Sequence, residues 1–177
     1  APIISLGCDP MTVNFQNEST AASNASYLWS FSDGTSSTLE NPVHVFSPSG
    51  IYNYTLTINT TSKCIDTSQI VSVSSITVNP SPIANFVASP LVTTIFDPDI
   101  FFFNTSPTSN IITWFYDFDD GTGSNDVNPI HTYATWGDYY VTQTVTNTYA
   151  CSNSISILVK ILPEFRFWIP NAFTPGN

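Results

Sequence analysis

The residues of this sequence with the clearest capacity for acid–base or metal chemistry are its two histidines, His44 and His131. They lie 87 positions apart, and each belongs to an Asn-Pro-x-His segment. A catalytic base or a metal site needs further suitable groups at close range. Because each histidine has the same place in its own half of the chain, we expect both rings to be structural, each bonded to a neighbouring loop.

A second candidate is an acidic cluster in the second half of the chain, formed by Asp117, Asp119, Asp120 and Asp126. Loops rich in carboxylates can bind calcium, which takes about six to eight oxygen ligands. At the equivalent positions of the first half, only Asp33 is an aspartate. The four aspartates are therefore the calcium candidates, and the alternative is a solvated acidic turn. No other cofactor and no catalytic residue is expected, because the sequence has no nucleophile paired with a base and no zinc-ligand spacing.

The segments that must position these residues occur twice, and the constant offset of 87 residues predicts two domains. In the first copy the motif residues are Trp29, Phe31, Asp33, Gly34, His44, Gly50 and Tyr52. In the second copy they are Tyr116, Phe118, Asp120, Gly121, His131, Gly137 and Tyr139. The Asp-Gly pairs predict turns, because the carboxylate can accept backbone N–H bonds and glycine tolerates positive φ.

Alternation of apolar and polar residues with a period of two predicts β-strands, and no sustained helical pattern is found. Tyr52, Tyr54, Leu56 and Ile58 are expected to share one face of a strand. Short strands separated by turn signals are typical of a β-sandwich. The predicted fold class is therefore all-β, with two β-sandwiches in tandem.

Three polar or aromatic side chains of the second copy carry further expectations. Gln143 occupies the position of Leu56, and a buried amide without partners is costly. We therefore expect Gln143 near a sandwich end or bonded to the backbone. Phe101 and Phe103 should point outward, because Phe102 between them matches an inward-facing residue of the first copy. Such exposed rings could form a carbohydrate platform, and the alternative is a domain junction.

The composition excludes some classes of function. Charged residues make up only 9% of the chain, and 3 Lys+Arg against 13 Asp+Glu give a net charge of −10. Such a surface repels phosphate backbones and anionic membranes, so no nucleic acid partner is expected. No apolar run approaches the roughly 20 residues of a membrane span, and the N-terminus lacks a signal-peptide pattern. We expect a fragment of a longer exported protein, without direct membrane insertion.

Several motifs in a fixed order resemble the PKD domain, a family of immunoglobulin-like sandwiches. The family's W-x-F-G-D-G, N-P-x-H and G-x-Y motifs correspond in the first copy to 29–34, 41–44 and 50–52, and in the second copy to 116–121, 128–131 and 137–139. Ser32 and Asp119 replace the family's first glycine, so we expect the turn there to bend differently. The resemblance implies immunoglobulin-like domains at 1–79 and 84–163, joined by a proline-rich linker at 80–83.

The tail at 164–177 lies outside the repeat and ends with Ile169-Pro170-Asn171-Ala172-Phe173-Thr174-Pro175-Gly176-Asn177. These nine residues resemble the opening of the gliding-motility-associated type B C-terminal domain, the sorting signal of type 9 secretion in Bacteroidetes. The resemblance implies export by that machinery and a place on the cell surface, in a large adhesin. The implied partners are the type 9 secretion machinery and neighbouring repeats of the same chain.

Export into an oxidising compartment, which the resemblance implies, favours a disulfide. Cys8 precedes the first strand and Cys64 follows the long one, so we expect these two residues to pair within the first copy. Cys151 matches Cys64, but Ile95 occupies the position of Cys8, so Cys151 is expected to be unpaired. The alternative is that all three cysteines are buried free thiols.

Together these features predict a non-catalytic stalk or spacer in a large, secreted cell-surface adhesin. Sandwiches joined by a short proline-rich linker suit such a role. The rival hypothesis is an accessory module of a secreted hydrolase that binds carbohydrate or protein, with surface polysaccharide as a partner. The full-length chain would discriminate them, because many more repeats favour the stalk and an upstream catalytic domain favours the module.

Overall fold

The computed structural model describes residues 2, 4–20, 25–62, 65–107 and 110–164, and of 60–62 and 65–73 it describes the backbone alone. Every regular element in these ranges is a β-strand, so the all-β class with paired sheets is confirmed. The described residues contain no helix long and apolar enough to cross a lipid bilayer. The chain divides into two compact units. The first comprises Ala1–Pro82, Asn110–Ile112 and Thr146–Asn153, and the second comprises Ile83–Ser109, Thr113–Val145 and Ser154–Asn177.

The first copy of the repeat forms two sheets from strands in its described residues. These strands are β1 (Leu6–Cys8), β2 (Met11–Asn14), β3 (Ala25–Phe31), β4 (Ser36–Ser37), β5 (Val43–Phe46), β6 (Gly50–Ser62) and β7 (Ile65–Asn79). The larger sheet has the order β1-β7-β6-β3-β4, and the smaller sheet pairs β2 with β5. Neighbouring strands are antiparallel, except that β1 runs parallel to β7.

The second copy repeats this plan with one additional strand. Its strands are β8 (Phe86–Ser89), β9 (Val92–Thr94), β10 (Asp99–Asn104), β11 (Ile111–Asp117), β12 (Gly123–Ser124), β13 (Ile130–Thr132), β14 (Gly137–Asn147) and β15 (Ser152–Leu162). One sheet has the order β12-β11-β14-β15-β9 and the other has the order β13-β10-β8. Here β9 runs parallel to β15, as β1 does to β7.

Aromatic rings from both sheets fill the first core. Tyr54, Leu56 and Ile58 are buried on one face of β6, as the alternation predicts, and Tyr52 is partly buried on the same face. Phe15 lies at the centre, with its ring centroid 5.0 Å from that of Tyr54. Because the alternate residues of β6 are polar, the strand buries one face and leaves the other to solvent.

The second core uses the same positions with different side chains. Phe102 occupies the place of Phe15, and its ring lies 5.3 Å from that of Phe118. Tyr116 replaces a tryptophan and is completely buried, with its ring 5.9 Å from that of Phe102. The 87-residue offset therefore carries over the core positions as well as the motifs. Each unit has its own hydrophobic cluster, as expected of two sandwiches.

The outer face of the β14–β15 hairpin carries a ladder of hydroxyl groups in place of charged pairs. Threonines of β14 lie opposite serines of β15, with oxygen–oxygen distances of 2.7 Å for Thr142–Ser156, 2.9 Å for Thr144–Ser154 and 3.2 Å for Thr146–Ser152. Threonine–serine pairs of this kind stabilise neighbouring antiparallel strands. The low charge of the sequence therefore has a structural counterpart in neutral cross-strand pairs.

Candidate functional site

The Asp-Gly turn is built in the same way in both copies. Asp33 Oδ1 accepts hydrogen bonds from the backbone N–H of Thr35 at 2.9 Å and from its hydroxyl at 2.6 Å. Asp120 Oδ1 accepts the same two bonds from Thr122, at 3.0 and 2.6 Å. The glycine between them is left-handed in each turn, with φ of 89° at Gly34 and 86° at Gly121. The carboxylate thus closes a turn that only glycine adopts without strain.

Each histidine joins this turn to the opposite sheet. His44 Nε2 lies 2.7 Å from Asp33 Oδ2, and His131 Nε2 lies 2.7 Å from Asp120 Oδ2. The His44 ring also stacks on Phe31, with centroids 4.1 Å apart and planes 3° apart. His131 stacks on the equivalent phenylalanine at 4.0 Å. The structure therefore places each histidine where a structural role requires it, bonded to a loop and held flat against the core.

The contacts of His44 do not form a catalytic relay. Thr35 Oγ1 lies 3.3 Å from His44 Nε2, the same nitrogen that contacts Asp33. A carboxylate–imidazole–hydroxyl relay needs the two ring nitrogens to face different partners. The hydroxyl also donates to the Asp33 carboxylate, so its proton is already used. This geometry fixes the turn and does not activate a nucleophile.

The aspartates of the two turns have lowered pKa values. Burial alone would raise the pKa of the Asp33 carboxyl, but hydrogen bonds from the Thr35 side chain and from His44 outweigh it and lower the pKa. Burial alone would likewise raise the pKa of the Asp120 carboxyl, but hydrogen bonds from Thr122 and His131 outweigh it and lower the pKa. The same set of donors thus favours the ionised carboxylate in both copies.

The four calcium candidates do not converge. Asp117 Oδ1 accepts the backbone N–H of Asp119 at 3.0 Å, and Asp126 Oδ2 accepts the Ser124 hydroxyl at 3.3 Å. Asp120 bonds its own turn and histidine. Within the described parts of the chain, no three His, Cys, Asp or Glu residues are grouped so that they could hold a metal ion. Calcium binding stays a prediction of the sequence.

The turn bends differently in the two copies at the position of the family's first glycine. Asp119 is left-handed, with φ of 62°, whereas Ser32 is not among the described residues with positive φ. Both side chains nevertheless accept the equivalent backbone N–H. Ser32 Oγ accepts that of Asn53 at 2.9 Å, and Asp119 Oδ2 accepts that of Tyr140 at 2.9 Å. A longer side chain on a different backbone conformation therefore makes the same link to the next strand.

The remaining motif residues support the turns from the core. The Trp29 indole donates to the Glu40 carbonyl at 3.3 Å, and the Tyr116 hydroxyl donates to the Val127 carbonyl at 3.3 Å. The Tyr139 hydroxyl donates to a carbonyl in the preceding loop, at Thr135, as Tyr52 does at Pro48. Gly50 and Gly137 lie against these tyrosine rings, where a Cβ would be 3.9 and 3.4 Å from the ring.

Gln143 is completely buried, and its hydrogen-bond partners are side chains rather than the backbone, which was one of the two environments that we expected. Its amide donates to Tyr116 Oη at 2.8 Å and to Asn104 Oδ1 at 3.0 Å. Its carbonyl accepts from the Ser106 hydroxyl at 3.1 Å. These partners come from the neighbouring strand β11, from the end of β10 in the opposite sheet and from the loop after it, and sequence spacing does not show that they meet. Burial raises the pKa of Tyr116, and the bond from Gln143 opposes that shift.

The expected pairing of Cys8 with Cys64 is wrong, because Cys8 is bonded to Cys151, with Cα atoms 5.7 Å apart. Cys8 lies opposite Asn79, the last residue of β7, whereas Cys64 precedes Ile65, the first residue of that strand. The ends of a strand of this length are about 45 Å apart, and a disulfide allows a Cα separation of only about 7 Å. The expectation that Cys151 is unpaired is therefore also wrong. Cys64 itself lies outside the described residues.

Backbone and side-chain bonds hold the disulfide in place within the first compact unit. Asn147 Oδ1 accepts the backbone N–H of Cys151 at 3.0 Å, and its amide donates to the Pro80 carbonyl at 2.7 Å. On the other side, the N–H of Asp9 donates to the Asn79 carbonyl at 2.9 Å. Sequence reasoning missed Asn147 altogether. The available signal for the pairing was that Cys151 has no partner position in its own copy, since connectivity cannot be deduced from spacing alone.

Comparison with known proteins gives matches to both copies. A family model described as the PKD domain matches residues 2–75 and 79–161. Collagenase ColA of Bacillus cereus is 43% identical over 49 residues, which are 26% of this chain and 5% of the collagenase. The chain thus spans only a small part of that relative.

Among solved structures, the PKD1 domain of the Vibrio cholerae metalloprotease PrtV is 29% identical, covering 46% of this chain and 96% of that one, with a TM-score of 0.41. The PKD1 domain of Vibrio anguillarum Epp is 23% identical, covering 48% and 96%, with a TM-score of 0.41.

Proposed function

The chain belongs to the PKD domain family, as its motifs predicted, and on that premise we propose that it is a non-catalytic spacer in an extracellular protein. The observation that carries this proposal is the path of the chain through each unit. In both units a strand near the start of the unit, β1 or β9, runs parallel to the last strand, so the chain enters a sandwich at one pole and leaves at the other. A module built in this way adds length between whatever precedes and follows it.

The path is clearest from the pairing of the terminal strands. In the first unit Pro2 pairs with Phe15, and the chain then continues along β1 until Cys8 lies opposite Asn79. In the second unit the first strand begins at Phe86 beside β10, and its continuation β9 ends at Thr94, opposite Leu162. At about 3.3 Å per residue, these paths span up to roughly 20 and 26 Å. Each unit is therefore an in-line spacer of at most that length.

The parallel terminal pairs are also suited to mechanical load. Hydrogen bonds flank each pair, from Thr77 N–H to the Ser5 carbonyl at 2.9 Å in the first unit and from Ile95 N–H to the Leu162 carbonyl at 3.1 Å in the second. A pull on the two ends of a unit loads such a pair along its strands, so its bonds share the force. They do not open one after another from the end. This geometry supports a spacer that transmits tension whenever the load passes through the peptide chain of a unit.

The location of the spacer in a secreted cell-surface adhesin of a Bacteroidetes bacterium is part of the same proposal. It rests on the resemblance of 169–177 to the start of a type B sorting domain, and these residues lie outside the described part of the chain. Surface labelling of the parent protein, in cells with and without a working type 9 translocon, tests this part. Retention inside the cell without the translocon supports it. Unchanged display would remove the export route and leave the spacer role untouched.

The spacer role is tested by single-molecule pulling of the Cys151→Ser variant, in which the peptide chain of both units carries the load. Ile95→Pro in this background removes the N–H that bonds Leu162, and Ile95→Val is the matched control that keeps it. We expect proline to lower the unfolding force of the second unit and to leave the first unit unchanged. Equal forces for the proline and valine variants would remove the mechanical basis of the proposal.

A second candidate function, polysaccharide binding, is favoured by one surface of the second unit. Phe101 and Phe103 are 43% and 50% exposed on the outer face of β10, which confirms that they point outward. Phe101 lies opposite Ile130, and Phe103 lies opposite Val87, and both partners are exposed as well. These four residues form the apolar face. Exposed apolar surfaces of this kind mark binding sites more often than isolated exposed residues do.

The first copy supplies the control for this candidate, because Asn14 occupies the position of Phe101 and Gln16 that of Phe103. The double variant Phe101→Asn/Phe103→Gln therefore gives the second unit the polar residues of the first. If the apolar face binds polysaccharide, co-sedimentation with insoluble glycans should be lost in this variant and kept in Val43→Asn, which changes an exposed residue of the first copy. Equal sedimentation of both variants would exclude the apolar face as the binding site.

A further inference from the structure

The disulfide changes which part of the chain connects the two ends of the molecule. Without it, the covalent path from Leu6 to Leu162 runs through every residue between them. With Cys8 bonded to Cys151, the shortest path runs along β1 to Cys8, across the sulfur atoms and along β15 to Leu162. The sequence separation of the two cysteines is 143 residues, so most of the chain forms a closed ring beside this path.

The short path is already extended. Leu6–Cys8 is a β-strand, and Ser152–Leu162 is a second one. A strand rises about 3.3 Å per residue, and a fully extended chain reaches at most about 3.6 Å per residue. Each segment of this path is therefore close to its full length. Even if every hydrogen bond of the sandwiches broke, the distance between Leu6 and Leu162 could not exceed roughly 50 Å.

The ring contains almost all of both hydrophobic cores. It holds β2 to β14, including the buried rings of Phe15 and Phe102. If the ring were open, stretching would carry Cys8 and Cys151 from 5.7 Å to the full length of the intervening chain. That length is roughly 470–510 Å at about 3.3–3.6 Å per residue. Because the ring is closed, a load applied at the ends of the chain cannot extend this part of it.

The surroundings of Cys151 shield one half of the disulfide. Cys151 is 1% exposed, so its sulfur is shielded from solvent. Asn147, itself 3% exposed, holds the Cys151 backbone through the bond described above and also accepts the N–H of Tyr149 at 3.0 Å. Thiol–disulfide exchange needs access of a thiolate to a sulfur atom. Burial and the Asn147 bonds therefore protect the Cys151 half of the disulfide, whereas Cys8 is only partly buried.

From these observations we infer that the Cys8–Cys151 bond makes the oxidised protein a nearly inextensible tether, in which force bypasses both sandwiches. The inference rests on the proposed spacer function and deepens it. The stalk keeps its length under tension because the loaded path is a covalently closed, already extended strand. The two sandwiches serve to position the cysteines and to give the path its lateral support.

The test is single-molecule pulling of the wild-type chain from its two termini, with Cys64→Ser as a matched control. We expect both proteins to show no lengthening step above roughly 50 Å, because the loaded strands are already extended. Cys8→Ser and Cys151→Ser should each show unfolding steps that sum to roughly 500 Å. Circular dichroism verifies that each serine variant is folded before pulling.

The wild-type measurement decides the inference even if the serine variants fail to fold. Steps that sum to roughly 500 Å in the oxidised wild type would overturn it, because the ring would then be open. Steps that sum to roughly 300 Å in the wild type, unchanged in Cys151→Ser but lengthened to roughly 500 Å in Cys8→Ser and in Cys64→Ser, would show the Cys8–Cys64 pairing and overturn it as well. Failure of the Ile95→Pro test, by contrast, affects only the proposed mechanical role of the terminal strands. The two proposals can therefore fail separately.

Discussion

The hydrogen bond between Gln143 and Tyr116 in the second core allows a quantitative test by a double-mutant cycle. The Tyr116 hydroxyl accepts from Gln143 and donates to the Val127 carbonyl. Tyr116→Phe removes both bonds from a buried site and should cost about 2 kcal/mol, at about 1 kcal/mol per bond. Gln143→Leu introduces the residue that the first copy has at this position. It loses three bonds, about 3 kcal/mol, and gains about 2 kcal/mol from apolar burial.

The two single variants should therefore lose about 2 and about 1 kcal/mol of unfolding free energy. In the double variant the shared bond is removed only once, so the total should be about 2 rather than about 3 kcal/mol. The expected coupling is about 1 kcal/mol. Urea denaturation of the oxidised chain, followed by near-ultraviolet circular dichroism, measures all four proteins.

The control cycle uses Tyr133 in place of Tyr116 as the mutated tyrosine. The Tyr133 hydroxyl donates to the Phe118 carbonyl at 3.1 Å and does not contact Gln143. Tyr133→Phe and Gln143→Leu should be additive to within about 0.5 kcal/mol. If the Tyr116 cycle is equally additive, the two side chains do not bond in solution. The account of the buried polar cluster would then be wrong.

Three further predictions concern the turn and the disulfide. Asp120→Asn should lower the unfolding free energy at pH 7 by about 1–2 kcal/mol, because it weakens a charged hydrogen bond. Since the folded-state pKa of Asp120 is lowered, this contribution is present above the ordinary aspartate pKa and is lost as the pH falls through the folded-state pKa. Gly121→Ala should cost about 1–2 kcal/mol from positive φ alone, since no atom lies within 4 Å of the added Cβ. Cys151→Ser should cost about 5 kcal/mol, from the loop entropy of a 143-residue separation.

Thermal melts at several pH values and urea denaturation at pH 7 measure these effects. For the aspartate, wild type and variant should converge in strong acid, and a constant difference at all pH values would contradict the linkage. For the glycine, Gly34→Ala in the first copy should give the same loss, and a neutral result in both would exclude strain. For the disulfide, Cys64→Ser is the control, and equal losses in the two serine variants would contradict the assigned pairing.

The repeat is the reason that so much of the fold could be predicted from the sequence. An offset of 87 residues places Phe102 where Phe15 is, and Asp120 where Asp33 is, so evidence from one copy supports the other. Period-two alternation then assigns inward and outward faces, and the burial of Tyr54 and the exposure of Phe101 agree with it. Local rules of this kind work because strand faces and Asp-Gly turns are set by neighbours in the chain.

The two contacts that overturned an expectation join residues that are distant in sequence. Gln143 finds partners on other strands, and Cys8 finds its partner in the second copy. Here the repeat was misleading. It suggested that each copy is self-contained, and therefore that Cys8 should bond the cysteine of its own copy. Distances between strands depend on register and hairpin length, which periodicity does not report.

The hydroxyl ladder of β14 and β15 bears on the conditions under which the protein remains folded. Attraction between ions weakens as dissolved salt increases, but bonds between neutral hydroxyl groups are not screened. Among the described side chains only three ion pairs are present, and two of them are the Asp–His pairs of the turns. The cross-strand hydroxyl bonds should therefore persist at low and at high ionic strength alike, and added salt should act on the stability of the protein mainly by screening the repulsion that its net charge of −10 creates.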